Sequence, residues 1–305
     1  MSDLNEDLIG HLRETHVAVQ LACSPWMGMT KSMGKEQKSR VAELFGADVR
    51  IVSGGSKLFS KHEILTAINS VRSRAKSYFK AMTLPFPVDN TRLLKRERLQ
   101  EFSDALVALV AELDQHVAQA NDALPELLEL ARADRGDLFD RAQYPNSFTD
   151  AFALKWEPVS VEPPDWLREA SPRLYQQFQS RVYARFGDAI DMAEQAFLTE
   201  FNKLVQNLSD NLIGGENGQA KAFKPNSINN LVKFFDQFKQ VSVRSSEDLD
   251  ALVEKAQNVV RGVSYDKLKE NGNTQIVVGE SLRRIGEELN GMLQARSSRV
   301  ICFED

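Results

Sequence analysis

Residues 171–215 read SPRLYQQFQSRVYARFGDAIDMAEQAFLTEFNKLVQNLSDNLIGG. Tyr175, Phe178, Val182, Phe186, Ala189, Ala193, Phe197, Phe201, Leu204, Leu208 and Leu212 recur at steps of three and four, which places them along one side of an α-helix. Ser171 stands where a cap is favoured, Pro172 suits a first helical position, and Gly214-Gly215 ends the pattern. The spacing therefore predicts one uninterrupted helix of about 40 residues, ~60 Å long at 1.5 Å per residue.

A second stretch, from Leu94, has the same character. Leu99, Phe102, Leu106, Leu109, Leu113, His116, Ala120, Leu124, Leu127 and Ala131 form a heptad-like seam in which only His116 is polar. His116 reads as a polar notch that sets register. Pro125 marks a bend or a fresh start capped by Asn121 or Asp122. Neither rod can bury its stripe alone, so 94–135 and 171–213 are expected to form a long antiparallel, coiled-coil-like hairpin. The competing arrangement is a parallel homodimer through one seam.

Around the rods, the elements are shorter. Val17, Val19 and Leu21 alternate with smaller or polar residues and suggest a strand closed by Ser24-Pro25. Val49–Val52 reads as a second, weak strand, 153–159 as a third, and Arg299–Phe303 as a fourth. Short helices are expected at 228–238, 246–261 and 279–296. The predicted fold is thus mainly α, a long helical hairpin on a small α/β base. Its parts are a basic α/β region at 1–93, the hairpin with a connecting strand at 94–213, and a helical region at 214–305.

The chain carries a net charge of −5, with 42% apolar and 27% charged residues, as in ordinary folded proteins. The average hides a division. Residues 1–100 hold 16 Lys and Arg against 10 Asp and Glu, whereas 101–170 hold 5 against 15. Either the halves neutralise each other or each meets its own partner. No apolar run approaches the roughly 20 residues that span a bilayer, and the start MSDLNEDLIGHLRETH lacks secretory character. No membrane association and a cytoplasmic location are the expectations.

No catalytic signature is visible, and no metal or cofactor site is expected. His11, His16, His62 and His116 lack ligand spacing, and Cys23 and Cys302 lie far apart. Ser53-Gly54-Gly55-Ser56-Lys57 has only part of a phosphate-loop spacing and reads as a turn with a solvated lysine. Asp134, Asp137 and Asp140 are spaced like possible cation ligands, but Gly136 breaks the helix that would hold them.

The cations near RSRAKSYFKAMTLPFP (72–87) carry more weight. Arg72, Lys76 and Lys80 follow one another at four-residue steps, and Lys31, Lys35, Lys38 and Arg40 precede them. Phosphate backbones would relieve the like-charge repulsion of such a stripe. Tyr78 and Phe79, which could stack on bases, fall instead on the apolar side of the helix, and 101–140 is an acidic counter-surface within the same chain.

The succession of the cationic helix, TLPFP, a leucine seam, RADRGDLFDRAQYPNSF and ALKWEPV resembles an uncharacterised family of bacterial, phage and conjugative-element proteins, known as a domain of unknown function. The similar part covers about 64–161, and GDLFDRAQYP at 136–145 is its most specific piece. The resemblance implies a genetic neighbourhood with MoxR-type AAA+ ATPases and von Willebrand-type proteins, and no catalytic residues. The expectation is a non-enzymatic helical adaptor of a mobile-element or phage-related system with an AAA+ partner. The alternative is a nucleic-acid-binding accessory factor in recombination or defence, acting through Lys31, Lys35, Lys38, Arg40, Arg72, Lys76 and Lys80.

Overall fold

The computed structural model describes residues 2–24, 30–149, 151–214 and 226–301. Helix α1 (Ser2–Thr15) runs directly into β1 (His16–Cys23), followed by β2 (Thr30–Ser32), α2 (Lys35–Phe45), β3 (Gly55–Lys57) and α3 (Glu63–Met82). Then come β4 (Thr83–Pro85), β5 (Thr91–Lys95), α4 (Leu99–Asp122), α5 (Leu124–Arg135) and β6 (Leu154–Val159). The remainder is helical: α6 (Asp165–Ala170), α7 (Pro172–Ile213), α8 (Asn226–Val241), α9 (Glu247–Val260), α10 (Tyr265–Glu270) and α11 (Gly272–Ile301). The fold is mainly α with a small antiparallel sheet in the order β4-β5-β1-β6, as expected, and a two-stranded ribbon of β2 with β3.

The chain divides into two units. One comprises Met1–Ala18, Ala81–Glu97 and Val159–Asp305, and the other Val19–Lys80 and Arg98–Pro158. Residues 81–97 and 214–305 thus belong with α7, and 98–158 with α3, a grouping different from a division at 93/94 and 213/214.

Helix α7 is the spine of the first unit. Its 42 residues form a single helix, as the periodicity predicts, with Pro172 in the first turn. The long antiparallel helix pair is present, but the partner is α11 rather than 94–135. Gly279 of α11 lies against Leu212 and Ile213, Gly286 against Val205 and Gln206, and Arg296 pairs with Glu194. The reason is visible in the buried set. Ala189 and Ile190, Phe197 and Leu198, Phe201 and Asn202, Leu208 and Ser209 are buried as adjacent pairs. Such a wide stripe needs cover from two sides, more than one helix can give. α11 supplies one side, and α8 supplies Phe234, Phe235 and Phe238 on the other. Phe201 and Phe234 stack with centroids 5.1 Å apart, and the Phe238 ring meets Phe197 edge-on at 5.1 Å. Leu249, Leu252, Val253 and Ala256 of α9 close the same core.

In the second unit, the seam of α4 and α5 is satisfied locally. Phe102 is fully buried between Phe79 of α3 and an edge-on Trp156 of β6 at 5.2 Å. Val117, rather than His116, takes the buried seam position, and His116 hydrogen-bonds Gln119 on the half-exposed flank. The rod breaks at Ala123, with Pro125 in the first turn of α5. Asn121 is not a cap: its side-chain oxygen accepts from the Phe148 N–H at 2.7 Å.

Two expected strands are absent. Val49–Val52 is a turn held by Asp48, whose carboxylate accepts from the Arg50 backbone and guanidinium, and the strand of that region is Gly55–Lys57. Arg299–Ile301 continues α11, while 302–303 lies outside the described residues. Helix α1 and the hairpin β4–β5 were not anticipated.

Candidate functional sites

The cationic residues singled out in the sequence all lie in the second unit, and their roles diverge. Arg72 donates to the Ser24 carbonyl at 2.8 Å and is half-buried, so it ties α3 to the end of β1. Its neighbour Arg74 pairs with Glu112 of α4, which joins the basic helix to the acidic one. Arg40 pairs with Glu36 one turn away at 3.0 Å. Lys35, Lys76 and Lys80 are exposed, Lys38 is half-exposed, and the side chain of Lys31 lies outside the described residues. The two aromatics are used in packing. Phe79 is buried, and Tyr78 stacks on Phe102, its hydroxyl pKa raised mainly by burial.

The segment GDLFDRAQYP serves as a structural staple. Gly136 adopts φ 48° and ends α5, which turns the chain back on itself. The buried Tyr144 then donates its hydroxyl to the Leu58 carbonyl at 2.8 Å and accepts from Arg135 at 3.1 Å. Its ring meets Phe59 edge-on, and the Arg141 guanidinium donates to its carbonyl. Asp140 caps the following turn by accepting from the Ala142 N–H. Among the described residues no His, Cys, Asp and Glu are grouped so as to hold a metal ion.

The beginning of α7 is different in kind. From 162 to 181 no side chain is buried. Leu174 and Phe178, one turn apart, are 45% and 43% exposed, and Trp166 of α6 is 65% exposed. Arg168 lies over the Tyr175 ring and Arg181 over Phe178, so guanidinium and aromatic faces alternate. A surface of Trp, Phe, Tyr and Arg has the composition of interface anchors.

A cavity of about 540 Å³ lies in the first unit, where α1 meets β1, the end of β5 and the residues after α8. It is lined by His11 and Glu14 of α1, His16, the consecutive Lys95, Arg96 and Glu97, and Arg244, with Leu8, Leu12 and Val243 as its apolar wall. His16 is only 5% exposed. The Thr15 hydroxyl donates to the His11 carbonyl at 2.6 Å, so its oxygen is an acceptor toward His16 Nδ1 at 2.9 Å. His16 Nε2 is buried and makes no hydrogen bond. Burial first, then the charges of Lys95, His11 and Arg96, lower its pKa from 6.5 to about 4. Arg96 is anchored by donating to the His16 and Arg13 carbonyls, and Arg244, at φ 54°, pairs with Asp250 at 3.7 Å.

A larger groove of about 1260 Å³ follows the outer flank of α7 past Met192, Thr199 and Lys203. None of its lining residues is buried, so it is the wet side of a helix rather than a site of converging polar groups. The signal for the smaller cavity was nearly invisible in the sequence, because His11, His16, Lys95 and Arg244 converge only through the fold. No helix among the described residues is long and apolar enough to cross a membrane. Comparison with protein-family models, with curated proteins and with solved structures returns no match.

Proposed function

We infer that the chain is a non-enzymatic helical adaptor that engages a protein partner through α6 and the first three turns of α7. The observation that carries this reading is the exposure of Trp166, Leu174 and Phe178 together on a stretch where no side chain is buried. Covering the exposed parts of these side chains removes apolar surface from water, which is favourable by roughly 25 cal/mol per Å², and suits them as interface anchors. Arg168, Arg173 and Arg181 outnumber Asp165 and Glu169 there, which suits an acidic surface with an apolar pocket. A MoxR-type AAA+ ATPase is the partner that the resemblance over 64–161 points to, in a mobile-element or phage-related setting. Reconstitution with such an ATPase from the same genetic neighbourhood tests it. Phe178→Asp and Trp166→Ala should abolish the complex while the circular dichroism spectrum stays unchanged. A complex indifferent to both substitutions overturns the reading.

The second reading, nucleic-acid contact, is favoured by the exposure of Lys35, Lys76 and Lys80. Binding through such lysines weakens steeply with salt and is lost in a triple reversal to Glu. A DNA or RNA shift assay at low salt that shows no retardation removes it.

A further inference from the structure

We propose that the end of α2 and the turn after it form a tip that inserts into the surface of an anionic lipid bilayer, Leu44, Phe45, Val49 and Ile51 entering the headgroup region while nearby lysines rest on lipid phosphates. The tip belongs to the other unit and meets another class of partner, so its role is independent of the adaptor reading. Leu44, Phe45 and Ile51, at 78%, 76% and 74%, are the most exposed large apolar side chains among the described residues, and Val49 is exposed beside them. Ala42 alone of the α2 residues is buried, so the helix end projects uncovered from its own unit.

The tip is held in shape by its own backbone. Gly46, at φ 61°, closes α2, and the Ala47 N–H returns to the Ala42 carbonyl at 2.8 Å. The Ile51 N–H donates to the Asp48 carbonyl at 3.1 Å, while the Asp48 carboxylate accepts from the Arg50 N–H and guanidinium. Four apolar side chains are thus presented within one short, preorganised stretch, which lowers the ordering cost of docking.

Charge and composition select the partner. Residues 30–57 hold six Lys and Arg against three Asp and Glu. Arg40 pairs with Glu36 and Arg50 with Asp48, which leaves Lys31, Lys35, Lys38 and Lys57 against Glu43. The partner is therefore anionic, and like charge sets a second copy of the tip against the first. Phosphate backbones of a nucleic acid answer the lysines but give the apolar side chains nothing to enter. Protein hot spots draw on Trp, Tyr and Arg, with Leu and Val under-represented, and the tip has neither Trp nor Tyr. Protruding Leu, Phe, Val and Ile beside lysines match the boundary between headgroups and acyl chains, which yields to any shape and carries negative charge. Such contact requires no spanning helix, and none occurs among the described residues. Attachment by a few side chains is reversible, so it should depend on the apolar and the charged parts together.

The full chain is mixed with vesicles of phosphatidylcholine alone, and of phosphatidylcholine and phosphatidylserine in equal parts, and the bound fraction is read by sedimentation at low and high salt. The mixed vesicles should carry the chain down, pure phosphatidylcholine much less of it, and high salt should release it. Phe45→Asp combined with Ile51→Asp should lower the partition about tenfold or more at an unchanged melting temperature, since both side chains are exposed. Lys35→Glu combined with Lys38→Glu should weaken binding to the mixed vesicles alone. Phe45→Leu, which stays apolar, and Val107→Asp, exposed on α4 outside the tip, should bind nearly as the parent does. No sedimentation with mixed vesicles at low salt, equal binding to both compositions, or parental binding by the double aspartate variant would overturn the proposal. So would a dimer, seen by light scattering without vesicle binding, that the aspartates dissolve, because the tip would then join copies of the chain.

Discussion

Asn202 of α7 donates its side-chain amide to the Asn290 oxygen of α11 at 2.8 Å, within a contact built mostly of apolar side chains. Such a pair, with Asn202 buried and Asn290 half-buried, fixes register, because sliding one helix along the other by a turn would strand the Asn202 amide among apolar side chains. Ser209, which donates to the Gly279 carbonyl at 3.1 Å, repeats the device two turns on.

Replacing one member of the amide pair should therefore cost more than replacing both. Asn202→Leu leaves the Asn290 amide without its donor and is expected to lower stability by about 1–3 kcal/mol. The double variant Asn202→Leu/Asn290→Leu should recover most of that loss. Urea unfolding of the two singles and the double, read as a thermodynamic cycle, checks the coupling.

Gly279 marks the closest approach of α11 to α7. A Cβ there would overlap the Ile213 side chain and come within 3.2 Å of Leu212 Cβ. Gly279→Ala gains about 1 kcal/mol of helix propensity and loses roughly 1–3 kcal/mol to overpacking. A lower melting temperature is expected, with recovery on adding Ile213→Ala. If Gly279→Ala melts higher than the parent, the approach is looser than described.

His16 makes stability depend on pH. Its pKa is about 4 in the fold against 6.5 as the ordinary value, so between these values the unfolded chain binds a proton that the folded chain refuses. Stability thus rises with pH across that window and falls as pH drops through it, by up to about 3 kcal/mol. His16→Gln should flatten this part of the stability profile measured by denaturant unfolding at pH 4–7. An unchanged slope in that variant would assign the pH dependence to other groups.

Tyr144→Phe should destabilise the second unit by about 1–3 kcal/mol, since the buried Leu58 carbonyl loses its donor and Arg135 an acceptor. Partner binding through α6 and α7 should persist below the new melting temperature, because GDLFDRAQYP acts as a staple. Loss of binding in a folded variant would show that the staple does more.

Several elements were legible because their information is local. The run from Pro172 to Ile213 needed only its three-and-four spacing and its terminal proline and glycines to declare a helix. Val17, Val19 and Leu21 declared β1 in the same way. Val49–Val52 misled because β-branched residues suggest a strand, whereas the Asp48 side chain holds the backbone in a turn and leaves Ile51 74% exposed. At His116 the one polar residue in a regular seam suggested a notch, yet Val117 is the buried residue there and His116 is half-exposed beside it.

The amino-acid order by itself determined the helical character of the chain, the extent of α7 and the polarity of each helical side, because these follow from backbone propensity and spacing over a few turns. Only the tertiary structure decided that α7 packs on α11 and α8, and that His11, His16, Lys95, Arg96 and Arg244 share one cavity. The reason is that an apolar stripe is non-directional. It states that something must cover it, and the identity of the cover is settled by competition among all stripes of the chain for shape, register and buried hydrogen bonds.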